Sequence, residues 1–325
     1  MTKITGSDTE VLAALTADGL GTLVIDGDFN TDVSGNVSVA NANTIVAATT
    51  GQVDFTGTIT DSMANMLNGD ESAISTAFAA VTNGTSSSDG DGGVAVTVNA
   101  GTLNVTKLNL IKAATTGQIT AAISGTANAL TSLNTAGTDA ITMTVDAGTV
   151  AAADLTTIDG KTSVDVGANA VTKITGSDTE VLAALTAYGN GTLVIDGDFN
   201  TDVSGDLTVA NAKTIAKATT GTVDFTGTIT DAALTFAAEN GTIEANFTAV
   251  RDGGGDGAVN IVVNNAVNAA QGKTIAEATT GTVDFSAGLS DTMANLLNDA
   301  QDAVHANLTA AADANGDPNV NVTVA

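Results

Sequence analysis

The chain has 325 residues, with 9 Lys and Arg against 36 Asp and Glu, a net charge of −27, no Cys, no Trp and one Tyr. That balance excludes nucleic acid and anionic membrane surfaces as partners, because both are held by Lys and Arg, and the lack of Cys excludes disulfide frameworks and thiolate metal sites. No apolar run reaches the roughly 18 residues of a membrane span, and an apolar content of 43% with only 3% aromatic residues predicts a thin core of Ala, Val, Leu and Ile.

In chain order, the first residues lack the apolar stretch of a signal peptide. Ser7-Asp8-Thr9-Glu10 predicts a capped helix start, and Gly19 and Gly21 predict its end. Residues 22–25, Thr-Leu-Val-Ile, read as a buried strand, residues 26–32 as a turn, and Val33, Val37 and Val39 as a further alternating strand. The organising motif follows at residues 48–61, Ala-Thr-Thr-Gly-Gln-Val-Asp-Phe-Thr-Gly-Thr-Ile-Thr-Asp. It returns at 218–231 and 278–291, with a weaker echo from Ala114. Val53, Phe55 and Ile59 fall on one face at period two, the strand signature, and Gly57 marks a bend or bulge.

After each motif the period changes. Met63, Met66, Leu67, Phe78 and Val81, and in the third copy Met293, Leu296, Leu297, Val304 and Leu308, fall at helical spacing. Asp61 and Asp291 stand where an N-cap belongs. The middle copy keeps a ragged version around Phe236, Phe247 and Val250. Acidic, glycine-rich loops come next at 88–93, 252–257 and 313–317. Alternating strands close the units: Val94, Val96 and Val98; Val259, Ile261 and Val263; Val320, Val322 and Val324. Leu103, Val105, Leu108 and Leu110 read as one more strand row, and Ile141, Met143 and Val145 as another. A strand–helix–strand order predicts parallel pairing with the helix as crossover.

Residues 2–61 and 172–231 are the same sequence at an offset of 170, with nine differences in 60 positions. A motif recurring in this way predicts a repeat architecture. The expectation is one continuous array over 1–325, with related units starting near 48, 114, 218 and 278. Its fold class is mainly β with short α-helical inserts, a β-solenoid-like array of strand–helix–loop–strand units. A string of β-sandwich domains would need antiparallel hairpins instead.

Asp26, Asp28, Asn30 and Asp32 place oxygen side chains at alternate positions, and Asp196, Asp198, Asn200 and Asp202 repeat the pattern. Calcium takes six to eight oxygen ligands, which makes these residues candidate ligands, together with Asp313, Asn315 and Asp317. The competing reading is turn chemistry, which also selects Asp and Asn. His305 is the single histidine and lies on a helical stretch with no second ligand nearby. There is no Gly-x-Ser-x-Gly elbow and no P-loop lysine. The expectation is a protein that is not an enzyme.

The units Ala-Thr-Thr-Gly-x-Val-Asp-Phe and Asp-Thr-Met-Ala-Asn-Leu-Leu at 291–297 resemble the β-strand-rich repeats of giant secreted bacterial surface proteins. They are especially similar to those of marine and filamentous cyanobacteria, haemolysin-type and adhesin-like. The resemblance covers most of the chain. It implies an extracellular or cell-surface location, export without an N-terminal signal, and adhesive, motility or surface-layer roles. The functional expectation is an extracellular structural protein of a fibre, sheath or surface layer. The alternative is a stalk or binding segment of a large adhesin that recognises a glycan or cell surface. The clean strand pattern of Val320–Val324, with no cap after it, adds the expectation that copies of the chain assemble head to tail.

Overall fold

The computed structural model describes residues 3–83, 90–252, 254–313 and 316–325. Helix and strand are about equally represented, near 33% and 28%, and the strand ladders are parallel. The protein is therefore an α/β fold, and the expected mainly-β, solenoid-like array is corrected. The pairing falls into separate sheets rather than one β stack, and the helices are principal elements rather than inserts. They are short segments of Ala, Val, Thr and Asn started by side-chain caps: Ser38 accepts from the Asn41 N–H, Asn104 from Lys107, Thr208 from Asn211 and Asn268 from Gln271. Val39 opens the helix Val39–Ala47, in which Val39, Ala42 and Ile45 are buried at helical spacing. Of the row Leu103, Val105, Leu108 and Leu110, the last three likewise belong to the helix Val105–Ala114, and Leu103 precedes its N-cap Asn104.

The chain divides into two compact units, Met1–Asp146 with Thr157–Ala168, and Ala147–Thr156 with Asn169–Ala325. In the first, Lys3–Ser7, Asn30–Ser34 and Val53–Phe55 pair in that order. Thr58–Ser62, Ala95–Ala100, Ile119–Gly125, Ala140–Val145 and Val166–Gly167 pair likewise. In the second, Gly148–Ala151, Val171–Ser177, Asn200–Ser204 and Val223–Phe225 form one sheet. Thr228–Asp231, Asn260–Val263 and Val283–Phe285 form another, and Leu289–Asp291 pairs with Val322–Val324. Strand order follows chain order within each of these runs. They therefore lack the reversal of order at which parallel α/β sheets open a ligand crevice.

Inward residues line up across strands. Ile59, Val96 and Ile119 are neighbours in register and fully buried, each contributing about 1.5–3 kcal/mol by burial. Gly57 separates the strands Val53–Phe55 and Thr58–Ser62, because an added Cβ there would overlap the Gly35 carbonyl. The helical spacing after the motif resolves into two short helices, Met63–Met66 and Thr76–Thr82, with an antiparallel bridge from Leu67 to Ile74 between them. Residues 22–25 are not a strand. Val24 is 83% exposed, although the identical Leu193–Val194 in the second copy is a strand.

One core position carries a penalty. The hydroxyls of Thr31 and Thr201 are buried and have no hydrogen-bond partner. The register that sets Thr201 beside Val223 sets Ile261 beside Val283 in the next sheet, so an apolar side chain serves at the same position. A buried, unpaired hydroxyl costs about 1–3 kcal/mol. Thr201→Val, which keeps the shape, is expected to stabilise the protein by about 1 kcal/mol in urea unfolding; a loss of stability would show that the hydroxyl has a partner.

Candidate functional site

The recurring motif is the feature of the chain most in need of a physical role, and its first threonine has one. The Thr49 hydroxyl donates to the Phe29 carbonyl and Thr219 to the Phe199 carbonyl. Thr115 donates to Val94 at 2.6 Å and Thr279 to Val259 at 2.6 Å. The same oxygen accepts the N–H two residues on, from Gly51, Gly117, Gly221 and Gly281, at 2.9 Å in each case. The second threonine contributes its backbone: the N–H groups of Thr50, Thr116, Thr220 and Thr280 donate to the carbonyls of Gly27, Gly92, Gly197 and Gly257. Glycine must follow, because a Cβ at Gly51, Gly117, Gly221 or Gly281 would run into backbone carbonyl oxygens of the neighbouring parallel segment. The motif is thus a staple between chain segments about twenty residues apart. A fifth staple has no copy of the motif. Thr162 donates to the Ile141 carbonyl at 2.8 Å and accepts from Val164, with Thr-Ser-Val in place of Thr-Thr-Gly. The signal that remained was a threonine closely following a helix.

The acid that ends the motif also works across segments. Asp61 is not the N-cap of the helix after it; that is Ser62, with no side-chain cap bond, although the Asp61 Oδ1 accepts from the Ser62 N–H and the Asn65 side chain. Its Oδ2 accepts the N–H of Val39, first residue of the helix 22 positions earlier, at 3.0 Å. Asp231 does this for Val209 at 3.2 Å and Asp291 for Ala269 at 3.0 Å. A carboxylate at a helix start satisfies an orphan donor and complements the helix dipole. Burial pushes the Asp291 carboxyl up, but hydrogen bonds from the Asn295 side chain and the Ala269 and Thr292 N–H groups outweigh this and leave it below the ordinary range.

The candidate calcium residues are dispersed among similar duties. Asn30 Oδ1 accepts from the Gln52 N–H at 2.8 Å, and Asn200 Oδ1 from the Thr222 N–H and hydroxyl. Asp32 pairs with Lys3 at 2.7 Å, and Asp202 with Lys173. The Asp26 carbonyl accepts from Phe29, and Asp196 Oδ1 from the Gly197 N–H. Asp28 and Asp198 are exposed, and their carbonyls crowd the motif glycines Gly51 and Gly221. The Asp313 carbonyl accepts from Gly316 and Asp317 Oδ1 from Asn319; Asn315 lies outside the described residues. Among the described residues, no three or more acidic or histidine side chains converge as a metal site. His305 is the N-cap of Ala306–Ala311, its Nδ1 accepting from Asn307 at 3.1 Å.

A polar cleft of about 850 Å³ in the first unit is bordered by Gln52, Asp54, Gly90, Asp91, Lys112 and Thr116. Its charges are mostly committed. Asp91 accepts from the N–H groups of Phe55 and Gly93. Lys112 reaches Asp139 at 3.0 Å and also donates to the Gly117 carbonyl. Asp139 is fully buried and accepts further from the N–H groups of Ile119 at 2.8 Å and Ala136 at 2.9 Å. No motif marks this pair; its one signal is a lysine in a chain with only nine Lys and Arg side chains.

Asp54 stands beside Asp32 in register on the next strand. Burial raises its pKa, Asp91 and Asp32 raise it further, and Lys3 opposes them. The folded chain therefore binds this proton more tightly than the unfolded chain. Stability falls as pH rises from the ordinary aspartate value through the raised one, and the penalty is complete at neutral pH. Asp54→Asn is expected to raise the melting temperature at neutral pH and to leave it unchanged below about pH 3, where both states are protonated. Equal effects at both pH values would contradict this assignment.

Among the described residues, no helix is long and apolar enough to cross a membrane. No family model, no curated protein and no solved structure matches the chain.

Proposed function

We propose that the chain is a structural component of an extracellular fibre, sheath or surface layer, built from many copies in association. The observation that carries this reading is where the recurring side chains go. Four motif threonines, with Thr162 as a fifth, make staples, and the motif acids make three helix-start bonds, all within the chain. What repeats is thus the means of holding a regular scaffold, a use that favours length and regularity over a single reaction centre. The extracellular placement rests on the resemblance of the repeats to those of secreted surface proteins. The net charge of −27 keeps neighbouring assemblies soluble and apart.

The experiment is electron microscopy of the source cell with antibody raised against this chain. Continuous label along surface filaments or a lattice is expected. Label confined to the cell interior would overturn the proposal. A reproducible hit for the purified chain on a glycan array, with scattered surface label, would replace it with an adhesin stalk.

A further inference from the structure

Of the nine differences between residues 2–61 and 172–231, four give the two blocks opposite surfaces. Asp18 and Leu20 stand in the first block where the second has Tyr188 and Asn190. Lys213 and Lys217 stand in the second where the first has Asn43 and Ala47. The first block thereby carries an apolar knob. Leu20 follows the helix Asp8–Gly19 and is 75% exposed, and Val24 is 83% exposed. The loop that presents them is held: the Thr22 and Leu23 N–H groups donate to the Ala17 carbonyl, and Asp18 Oδ1 accepts the Ile25 N–H at 2.8 Å. Asp26 and Asp28 follow in the same loop and are exposed. In the second block Asn190 replaces the leucine, and Val194 is 38% exposed.

The second block carries a groove instead. The helix Val209–Ala216 packs on the helix Ala245–Arg251, and a groove of about 440 Å³ beside this contact is lined by Ala210, Lys213, Thr214, Lys217, Ala218 and Asn246. Its surface is mostly apolar, and the two lysines are one helical turn apart. Lys213 Nζ donates to Asn246 Oδ1 at 2.6 Å, which fixes its direction without neutralising it. Among the described residues neither lysine is in an ion pair, although four other lysines and Arg251 are. Like charges at this spacing repel, so an acid that meets both removes a penalty. The next repeat has Lys273 but places Glu277 where Lys217 stands, so the double lysine occurs in this repeat alone.

In a chain of net charge −27, two copies repel one another over most of their surface, and the groove is where an acid is attracted. An apolar floor beside two unpaired ammonium groups fits an apolar body flanked by carboxylates, which is the chemistry of the knob. We infer that the groove at Lys213 and Lys217 is a docking site for the knob at residues 20–28 of a second copy of this chain. Leu20 and Val24 seat on Ala210, Thr214 and Ala218, and Asp26 and Asp28 meet the two ammonium groups. Knob and groove are different surfaces, so the contact is heterologous and passes from copy to copy without closing on a pair. It deepens the assembly proposed above and rests on that reading. Two apolar side chains and two ion pairs fall well short of a standard interface, so the contact is weak alone, with Kd on the order of 10⁻⁴ M, and gains strength by repetition in an array.

The test uses the intact chain in sedimentation equilibrium at fixed ionic strength. The mass of the unmodified chain is expected to rise with concentration and to pass that of a dimer. Leu20→Asn, and separately Lys213→Asn with Lys217→Ala, are expected to weaken association at least tenfold. Each puts in one block the residue that the other block already holds at that place, so circular dichroism and melting are expected to stay unchanged. Lys217→Asp and Asp26→Lys chains are each expected to associate poorly alone, and their equimolar mixture to associate again. A monomer at every concentration, association indifferent to these substitutions, or a mixture that stays monomeric would overturn the contact. A monomer that binds citrate, and loses it with Lys213→Asn and Lys217→Ala, would overturn it in favour of a small-anion site. If association fails while a surface lattice is seen on cells, only this contact is wrong. If association holds and the label is intracellular, the structural role is wrong.

Discussion

Asp139→Ala is expected to destabilise the protein by about 3–5 kcal/mol, the usual cost of removing one partner from a buried ion pair. The carboxylate has no solvent exposure and accepts from the Lys112 ammonium and from two backbone N–H groups, those of Ile119 and Ala136. Alanine leaves both N–H groups unsatisfied, and each unsatisfied buried donor costs about 1–3 kcal/mol. The cost includes loss of position as well as charge, because Asp139 joins the turn at Ala136 to the start of the strand Ile119–Gly125. Asp139→Asn keeps the size but turns an amide NH₂ toward at least one N–H donor, so it is expected to recover only part of the loss. With about 2–4 °C per kcal/mol for a domain of this size, the melting point should fall by roughly 10 °C. An alanine variant within 1 °C of the parent would show that Asp139 is not the hub described.

The second large effect is expected from the motif glycine. Gly51→Ala places a Cβ 2.6 Å from the Asp28 carbonyl oxygen and nearer still to that of Phe29. Neither obstacle is a flexible side chain, so two backbone segments must separate. That separation weakens the Thr31 N–H bond to Gln52 at 2.8 Å, the Thr50 N–H bond to Gly27 at 2.9 Å and the Thr49 staple. A loss above about 3 kcal/mol is expected, in the range reserved for backbone clashes in a packed interior. Gly221→Ala should match it, since the surroundings are duplicated. Gly19→Ala is the control. It ends a helix, keeps a negative φ and has no atom within 4 Å of an added Cβ, so it should be neutral or stabilising by up to about 1 kcal/mol. Equal effects at Gly51 and Gly19 would mean that flexibility, not close approach, explains the motif glycine.

The parts of the fold that were legible in the sequence are those whose signal is local. Ser7 and Glu10 form the capping box that their spacing announces, with the Glu10 carboxyl held below its ordinary range by the Ser7 N–H and hydroxyl. Val96 and Val98, Ile261 and Val263, and Ile141, Met143 and Val145 are strand residues as their alternation predicts. The helix Val39–Ala47 was hidden because Val33, Val37 and Val39 mimic period two, and because alanine and asparagine carry little pattern. The helix Val105–Ala114 was hidden by the same ambiguity between short apolar rows. Those two helices, with their counterparts at Val209–Ala216 and Ala269–Glu277, turn an expected β array into an α/β fold. Residues 22–25 fail differently. Their sequence suits a strand, and its twin is one, so pairing rather than propensity decides the outcome.

The roles of the motif side chains were not legible, because each acts on a segment about twenty residues away. Thr49, Asp61 and Asn30 read equally well as surface threonine, local cap and calcium ligand. Their partners are the Phe29 carbonyl, the Val39 N–H and the Gln52 N–H, and nothing in the local spacing points to them. Lys112 and Asp139, 27 residues apart, are in the same position.

Amide hydrogen exchange at the staples tests most directly the claim that the repeated motif exists to hold parallel segments together. The N–H groups of Gly51, Gly117, Val164, Gly221 and Gly281 are each bonded to a threonine hydroxyl. All five should exchange slowly, with protection close to that of the neighbouring strands. Thr115→Val should release Gly117 while leaving Gly221 and Gly281 protected. Fast exchange at these glycines in the unmodified chain, or protection of Gly117 that survives Thr115→Val, would contradict the account.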